Sequence, residues 1–429
     1  MTNPYEQPLA ADHHLRRMAG RNPHETFRAA TPLELLFDLT FVIGFGVAAS
    51  QLAHYLAEGH VGTGVFGFAF VMFAICWAWI NFSWFSSAYD TDDWAFRLAM
   101  FVGMIGVVIL SLGIPRTFTS IDSGTHLDND ALVLGYVIMR LALVFLWLRA
   151  AVQDRPRRKT CLAYATAVLV AQLGWVALAL ADPGWTITII AGATLILFEL
   201  AGPVIAERST GEGGTPWHAH HIAERYGLLA IIALGEGVIG TVASVSAIVE
   251  HHGWSAEAIM MCVAGVGLTF GMWWMYFMIP AAPILHEHRD RSFWWGYLHM
   301  PIFAAIAATG AGLHVVGYFI EQKAHIDSAA TVTAAVIPVG VFIIGIYVLY
   351  TTLVRRPDPF HIFLLAASAA VLVASAVLAH MGAGLTLCLA ILTLAPAVTV
   401  VGYEFIGVHH VREALAQELG KRSLGHEKA

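Results

Sequence analysis

The chain has 429 residues, of which 58% are hydrophobic and only 12% charged, with 13 Trp, 24 Phe and 39 Gly. Charged residues make up roughly 25% of an ordinary soluble domain, so a soluble fold is excluded. A net charge of −7 is too modest for this length to mark a nucleic-acid-binding protein or an acidic tail.

Residues 1–30 are polar and carry His13, His14, Arg16, Arg17, Arg21 and Arg28. They lack the apolar run of roughly 7–15 residues that a cleavable signal peptide needs, so the first apolar helix is expected to be retained. Apolar stretches long enough to span a bilayer follow at 33–56, 61–88, 94–115, 130–151, 160–181, 185–206, 223–249, 255–280, 292–320, 329–354, 360–380 and 383–406. The expected fold is an all-α integral membrane protein with about twelve transmembrane helices. With that count, the loops on the N-terminal side hold 19 Lys and Arg against two, Arg116 and Lys323, on the other. Basic residues are retained in the cytoplasm, so both termini are expected there, in a multi-pass protein of the bacterial inner membrane.

The second half echoes the first. At a shift of 194 residues Trp79 falls on Trp273 and Arg97 on Arg291, and at a shift of 193 Pro203 falls on Pro396. Six helices per half is an even number, which predicts two repeats of the same orientation. The expected divisions are a cytoplasmic tail (1–30), a first repeat (31–206), a cytoplasmic linker (207–222), a second repeat (223–406) and a cytoplasmic tail (407–429).

Ionisable groups inside spans cost roughly 2.5–3.5 kcal/mol each at a helix centre on insertion scales, so each needs a partner, a wet cavity or a function. Span 1 opens Thr31-Pro32-Leu33-Glu34, which reads as a capping box with Pro at the first helical position. Asp38 lies about 6 Å deeper on the same face, where no cap explains it; Arg97 or Arg140 would be its structural partner. In span 7, Glu236 stands about 21 Å beyond Ile222, well inside a core of roughly 30 Å. Gly235, Gly237 and Gly240 around it allow a close neighbour. Arg140 in span 4 and Glu199 in span 6 neutralise each other or pair with Asp38 and Glu236. Asn81, Gln51, His54, Gln172, His299 and His314 could extend a polar path, or could bond a facing helix.

The run Thr-Pro-Trp-His-Ala-His-His-Ile-Ala-Glu-Arg (215–225) places His218 and His221, and His220 and Glu224, at helical spacing. These histidines are at most metal candidates, since the HExxH pattern is absent and an interfacial cap accounts for them. GTGVFG (62–67) and GEGVIG (235–240) match a bare dinucleotide pattern but sit inside apolar spans, so helix packing explains them. There is no P-loop or Gly-x-Ser-x-Gly elbow, and no cofactor or catalytic residue is assigned. Cys76, Cys161, Cys262 and Cys388 all lie in apolar stretches and read as packing residues.

Three segments, TPLELLFDLTFV (31–42), WAWINFSWFSSAYDTDDWAFRL (77–98) and TPWHAHHIAERYGLLAIIALGE (215–236), together resemble the low temperature requirement A family of bacterial membrane proteins. The resemblance runs from about residue 15 to 410. It implies a multi-spanning protein associated by name with growth in the cold, and it names no reaction. Carried over residue by residue, it marks Glu34, Asp38, Asp92, Asp93, Arg97, His221, Glu224, Arg225 and Glu236. Span 1 also resembles the first helix of a six-plus-six potassium-channel family marked by Arg followed by Phe-Ser-Asp. Here Phe37-Asp38 lacks the serine and Arg28 is too distant, so the match only keeps a channel among the alternatives.

The leading expectation is a permease or ion-translocating protein in the lipid bilayer, moving a small ion, a proton or a small molecule. In it Asp38 and Glu236 line a polar path between the repeats, with Arg97, Arg140 and Arg225 neutralising or gating them and Glu199 on the same path. The alternatives are a lipid-acting enzyme with an interfacial cluster of Asp92, Asp93, His218, His220, His221 and Glu224, and a non-catalytic membrane component in cold adaptation.

Overall fold

A computed structural model describes residues 13–23, 25, 28–124, 126–208, 214–355, 358–412 and 416, with residue 252 described by its backbone only. Residues 1–12 of the expected N-terminal tail, 209–213 of the linker, Arg356 and 417–429 of the C-terminal tail lie outside the described residues. The helices in chain order are α1 (Pro32–Ala57), α2 (Val61–Tyr89), α3 (Trp94–Ser123), α4 (Asp130–Gln153), α5 (Arg158–Ala181), α6 (Trp185–Arg208), α7 (Ala219–His252), α8 (Ala256–Phe277), α9 (Ala281–Glu287), α10 (Ser292–Ile320), α11 (Ser328–Val354), α12 (Pro359–His380) and α13 (Leu385–Gly402). All but the short α9 are long and apolar enough to cross a membrane, which makes twelve, and there is no β-strand among the described residues. The protein is a multi-pass membrane protein.

Six helix starts follow capping residues. Side chains of Thr31, Asp93, His218, Ser255, Asp327 and Asp358 each accept from a first-turn backbone N–H, satisfying donors that hydrocarbon cannot. The cap at His218 starts α7 at Ala219, so residues 219–222 are helix where a linker is expected. Pro115 does not end α3, which continues to Ser123. Beyond the proline, Thr117, Phe118 and Ser120 stay buried, so packing carries the helix past the lost N–H.

Consecutive helices pack as neighbours from α1 to α6, from α7 to α8 and from α10 to α13, and α1 packs on α2, α3, α7 and α10, while α10 also meets α2, α7 and α11. That puts α1, α7 and α10 at the centre. At the other extreme α6 buries only Glu199, Gly202 and Ala206 and presents an apolar surface suited to lipid. The four cysteines are free.

The polar segment before α1 is tied down. The backbone N–H of Arg21 donates to Ala88 O (3.1 Å) and that of Trp94 to His13 O (3.1 Å). Met18, fully buried, donates its N–H to Gln153 Oε1 (2.6 Å). Arg28 donates to the carbonyls of Ser86 (2.8 Å) and Ser87 at the end of α2, where a cation meets the negative end of the helix dipole. Burial, and Arg21 nearby, pull its guanidinium down to about 10.

Candidate functional site

The first charge cluster joins the starts of α1 and α7. The capping box forms as expected: Thr31 N–H donates to Glu34 Oε2 (2.8 Å) and Glu34 N–H to Thr31 Oγ1 (3.2 Å). Glu34 does more than cap. Its Oε1 also accepts from Ser86 Oγ (2.6 Å) and Arg225 Nη1 (3.0 Å), and its Oε2 faces His221 Nε2 at 3.1 Å. One turn deeper, Asp38 accepts from Arg225 through both oxygens, Nε to Oδ2 at 2.9 Å and Nη2 to Oδ1, and from Trp79 Nε1 (2.7 Å). The partner of Asp38 is therefore Arg225, not Arg97 or Arg140. Glu34, Asp38, His221 and Arg225 are all fully buried. Two carboxylates meet one guanidinium, and His221 is the other group in contact that can bring positive charge; its Nδ1 has no hydrogen-bond partner among the described residues.

The second cluster surrounds Glu199 on α6. Its carboxylate accepts from Trp77 Nε1 (2.7 Å), Arg140 Nη2 (2.7 Å), Tyr136 OH (2.9 Å), Trp175 Nε1 (3.0 Å) and, at 3.4 Å, Gln172 Nε2. Arg140 and Glu199 thus neutralise each other inside the first half, away from Asp38. The donors come from α2, α4 and α5, so the pair also fastens the lipid-facing α6 to the bundle.

Glu236 is different. It is 3% exposed, midway along α7, and among the described residues it has no hydrogen-bond or ion-pair partner. Glycines of two other helices pack against it. A Cβ on Gly46 of α1 would lie 3.2 Å from Glu236 Oε1, and one on Gly310 of α10 would lie 2.5 Å from the Glu236 carbonyl. Of the glycines flagged from sequence, Gly240 lets Gly310 approach and Gly237 lets Thr269 approach, while Gly235 faces open space. His314 of α10 lies against Gly240. On α1, Asp38, Val42 and Gly46 share one stripe at helical spacing, and on α7 Arg225 and Glu236 share another. The stripes meet twice, at Asp38–Arg225 and at Gly46–Glu236, so α1 and α7 run in the same direction.

The low temperature requirement A (LtrA) family model matches residues 29–396, from just before the Thr31 cap to Pro396 in α13. The chain belongs to the bacterial low temperature requirement A family. It is also 24% identical over 323 residues to an uncharacterized protein of Rhizobium meliloti (strain 1021), covering 72% of this chain and 74% of that one.

The remaining residues of the LtrA segments lie toward the polar ends of α2, α3 and α7 and are dispersed. Arg97 holds Asp92 in a two-point ion pair (2.9 and 3.1 Å), with Asp92 in a left-handed conformation at φ 45°. Asp93 caps α3, accepting from Phe96 N–H (3.0 Å) and Arg16 N–H (3.0 Å), and is gripped by Arg149. Burial pushes the Asp93 carboxyl up, but Arg149 and these two N–H groups outweigh it and hold the group at about 2. Asp90, three residues earlier, is pushed up to about 6 by burial and by Glu34, against the pull of Arg28. Glu224 is exposed and accepts from Ala30 N–H (3.2 Å). His218 caps α7 and its Nε2 meets Glu25 O (2.7 Å), while His220 is exposed. Among the described residues no three His, Cys, Asp or Glu side chains are grouped to hold a metal ion.

Several members of these clusters were not expected at a polar site from sequence: Trp77, Tyr136, Trp175, Ser86, and Trp79, which stood out only as a repeat position. A signal was present. A tryptophan in mid-span carries an N–H that hydrocarbon cannot satisfy, so it needs an acceptor on a facing helix.

Proposed function

We propose that the protein is a permease or ion-translocating protein of the inner membrane in which Glu236 is the group that takes up and releases the transported charge. The observation that carries this is the contrast in pairing: of the four deep carboxylates, Glu34, Asp38 and Glu199 have guanidinium partners, whereas Glu236 has none. A carboxylate kept in a membrane interior without a partner is costly and marks a pathway by default. Gly46 of α1, whose Cβ position lies 3.2 Å from Glu236 Oε1, sets the first helix of one half directly against this carboxyl on the first helix of the other, the seam along which a small ion, a proton or a small molecule would pass.

In this reading Asp38 lies on the same α1–α7 seam, and its bond to Arg225 fastens the entrance to that seam. The parallel course of α1 and α7, the first helices of the two halves, supports two six-helix repeats of the same orientation. The 19-to-2 bias of Lys and Arg supports cytoplasmic termini.

The test is a flux assay in proteoliposomes with imposed proton, Na⁺ and K⁺ gradients in turn. Glu236→Gln is expected to lower flux at least tenfold while the protein still reconstitutes. Flux at the parental rate in that variant, or no flux in the parent under any of the gradients, counts against the proposal.

A further inference from the structure

Where α4 begins and α5 gives way to α6, a cavity of about 280 Å³ lies between α2, α5, α6 and the segment leading into α4. Its walls run inward to Phe73 on α2 and Ile196 on α6, about 16 Å along α6 from its start at Trp185. Phe66 and Ile189, both exposed on the outer face of the bundle, frame it, so it opens toward lipid. Among the described residues no charged side chain lines it.

Most polar groups of the wall are engaged elsewhere or covered. Trp175 Nε1 donates to Glu199 (3.0 Å), Thr188 Oγ1 donates to the Pro183 carbonyl (2.8 Å), and Trp185 Nε1 is covered by neighbouring atoms. The exception is Asn129. It is 6% exposed, yet its side chain makes no cap bond to α4 and has no hydrogen-bond partner among the described residues. Unlike Trp185 Nε1, its amide is not covered, so this buried residue offers the cavity both a donor and an acceptor, and leaving them unmade is costly.

We propose that the cavity holds one acyl chain of a bilayer lipid, whose ester carbonyl accepts from Asn129 Nδ2. The layout is that of an amphiphile, with a free amide where α4 begins and an apolar wall leading inward along Phe70 and Trp175, whose rings lie 6.2 Å apart. Water is a poor occupant, because a buried water needs roughly two to four polar partners and the wall offers one free amide. A charged headgroup finds no counter-charge there, which leaves the ester as the part of the lipid that matches. Lipid tails are as apolar as the wall, so the bond to the carbonyl is what separates this site from the surrounding bilayer. The inference is independent of translocation at Glu236.

Binding is read by photo-crosslinking on the full chain in nanodiscs, with two phosphatidylcholines that carry a diazirine at the same chain carbon and differ only in joining that chain by an ester or an ether. Labels are mapped by peptide mass spectrometry. The ester lipid is expected to label residues 66–73 and 188–196 about fivefold more than the ether lipid does, and well above the exposed side of α3 around Phe101. Asn129→Leu keeps the bulk, removes the amide and costs α4 no cap bond; it should lower ester labelling to the ether level and leave ether labelling unchanged. Gly192→Phe, whose Cβ would lie 3.9 Å from the Trp175 ring, fills the cavity and should lower both. Labelling no higher than at α3, equal labelling by the two lipids, or ester labelling unchanged in either variant overturns the proposal.

Discussion

The α1–α7 seam contains two contacts of opposite character. At its start, every oxygen of Glu34 and Asp38 has a donor or a facing histidine, from Arg225, Ser86, Trp79, His221 or the Thr31 N–H. Midway along α7, Glu236 faces glycine backbone and has no partner among the described residues. All three carboxyls are buried; pairing separates them. The comparison teaches that a charge inside a span is not by itself a functional mark. A bidentate pair with further donors is a fastening, while an unpaired carboxyl in the interior either carries its proton or bears the full cost of its charge.

The sharpest way to break the comparison is to remove the fastening. Arg225→Met strips the guanidinium from two carboxylates and should destabilise by about 3–5 kcal/mol, read as a large fall in the thermal unfolding midpoint in detergent. Adding Asp38→Asn should recover part of that loss, because one of the uncompensated charges goes. The Glu199 cage should behave alike on a smaller scale. Glu199→Gln keeps an acceptor for the tryptophans but leaves Arg140 without its counter-charge, a cost of about 1–3 kcal/mol, and Arg140→Met in the same chain should restore part of it in a double-mutant cycle.

A third test works through pH at the polar ends of the helices. The Asp93 carboxyl is held at about 2 in the folded protein and titrates near 3.9 when unfolded. Its stabilisation, about 2 kcal/mol, is fully present above pH ~4 and is lost as pH falls from there toward 2. Asp93→Asn should remove that part of the acid dependence, seen as a flatter unfolding midpoint across the same range. Smallest in stability is Glu236→Gln. With no partner to lose, its midpoint should stay within about 0.5 kcal/mol of the parent or rise. A fall as large as that of Arg225→Met would erase the distinction between the two sites.

Much of the fold was legible. Each of the twelve expected spans has its helix, because apolar length and the alternation of basic loops are local properties. The capping box at Thr31 was readable for the same reason. The partner of Asp38 was not: Arg225 lies 187 residues away, and charge alone allowed Arg97 or Arg140 equally. Nor was the binding-down of residues 13–23, which depends on loop carbonyls such as Ala88 O rather than on any pattern in the segment. At Glu236 the sequence showed the depth and the neighbouring glycines. It did not show that the closest approach comes from Gly46 and Gly310 on other helices.

The contrast can be measured in one experiment. Dicyclohexylcarbodiimide modifies protonated, reachable carboxyl groups in apolar surroundings and leaves carboxylates held in ion pairs. Incubated with the full chain in native membranes and mapped by peptide mass spectrometry, it should label Glu236 and spare Glu34, Asp38 and Glu199. Labelling of Asp38 or Glu199 with Glu236 unmodified would contradict the account.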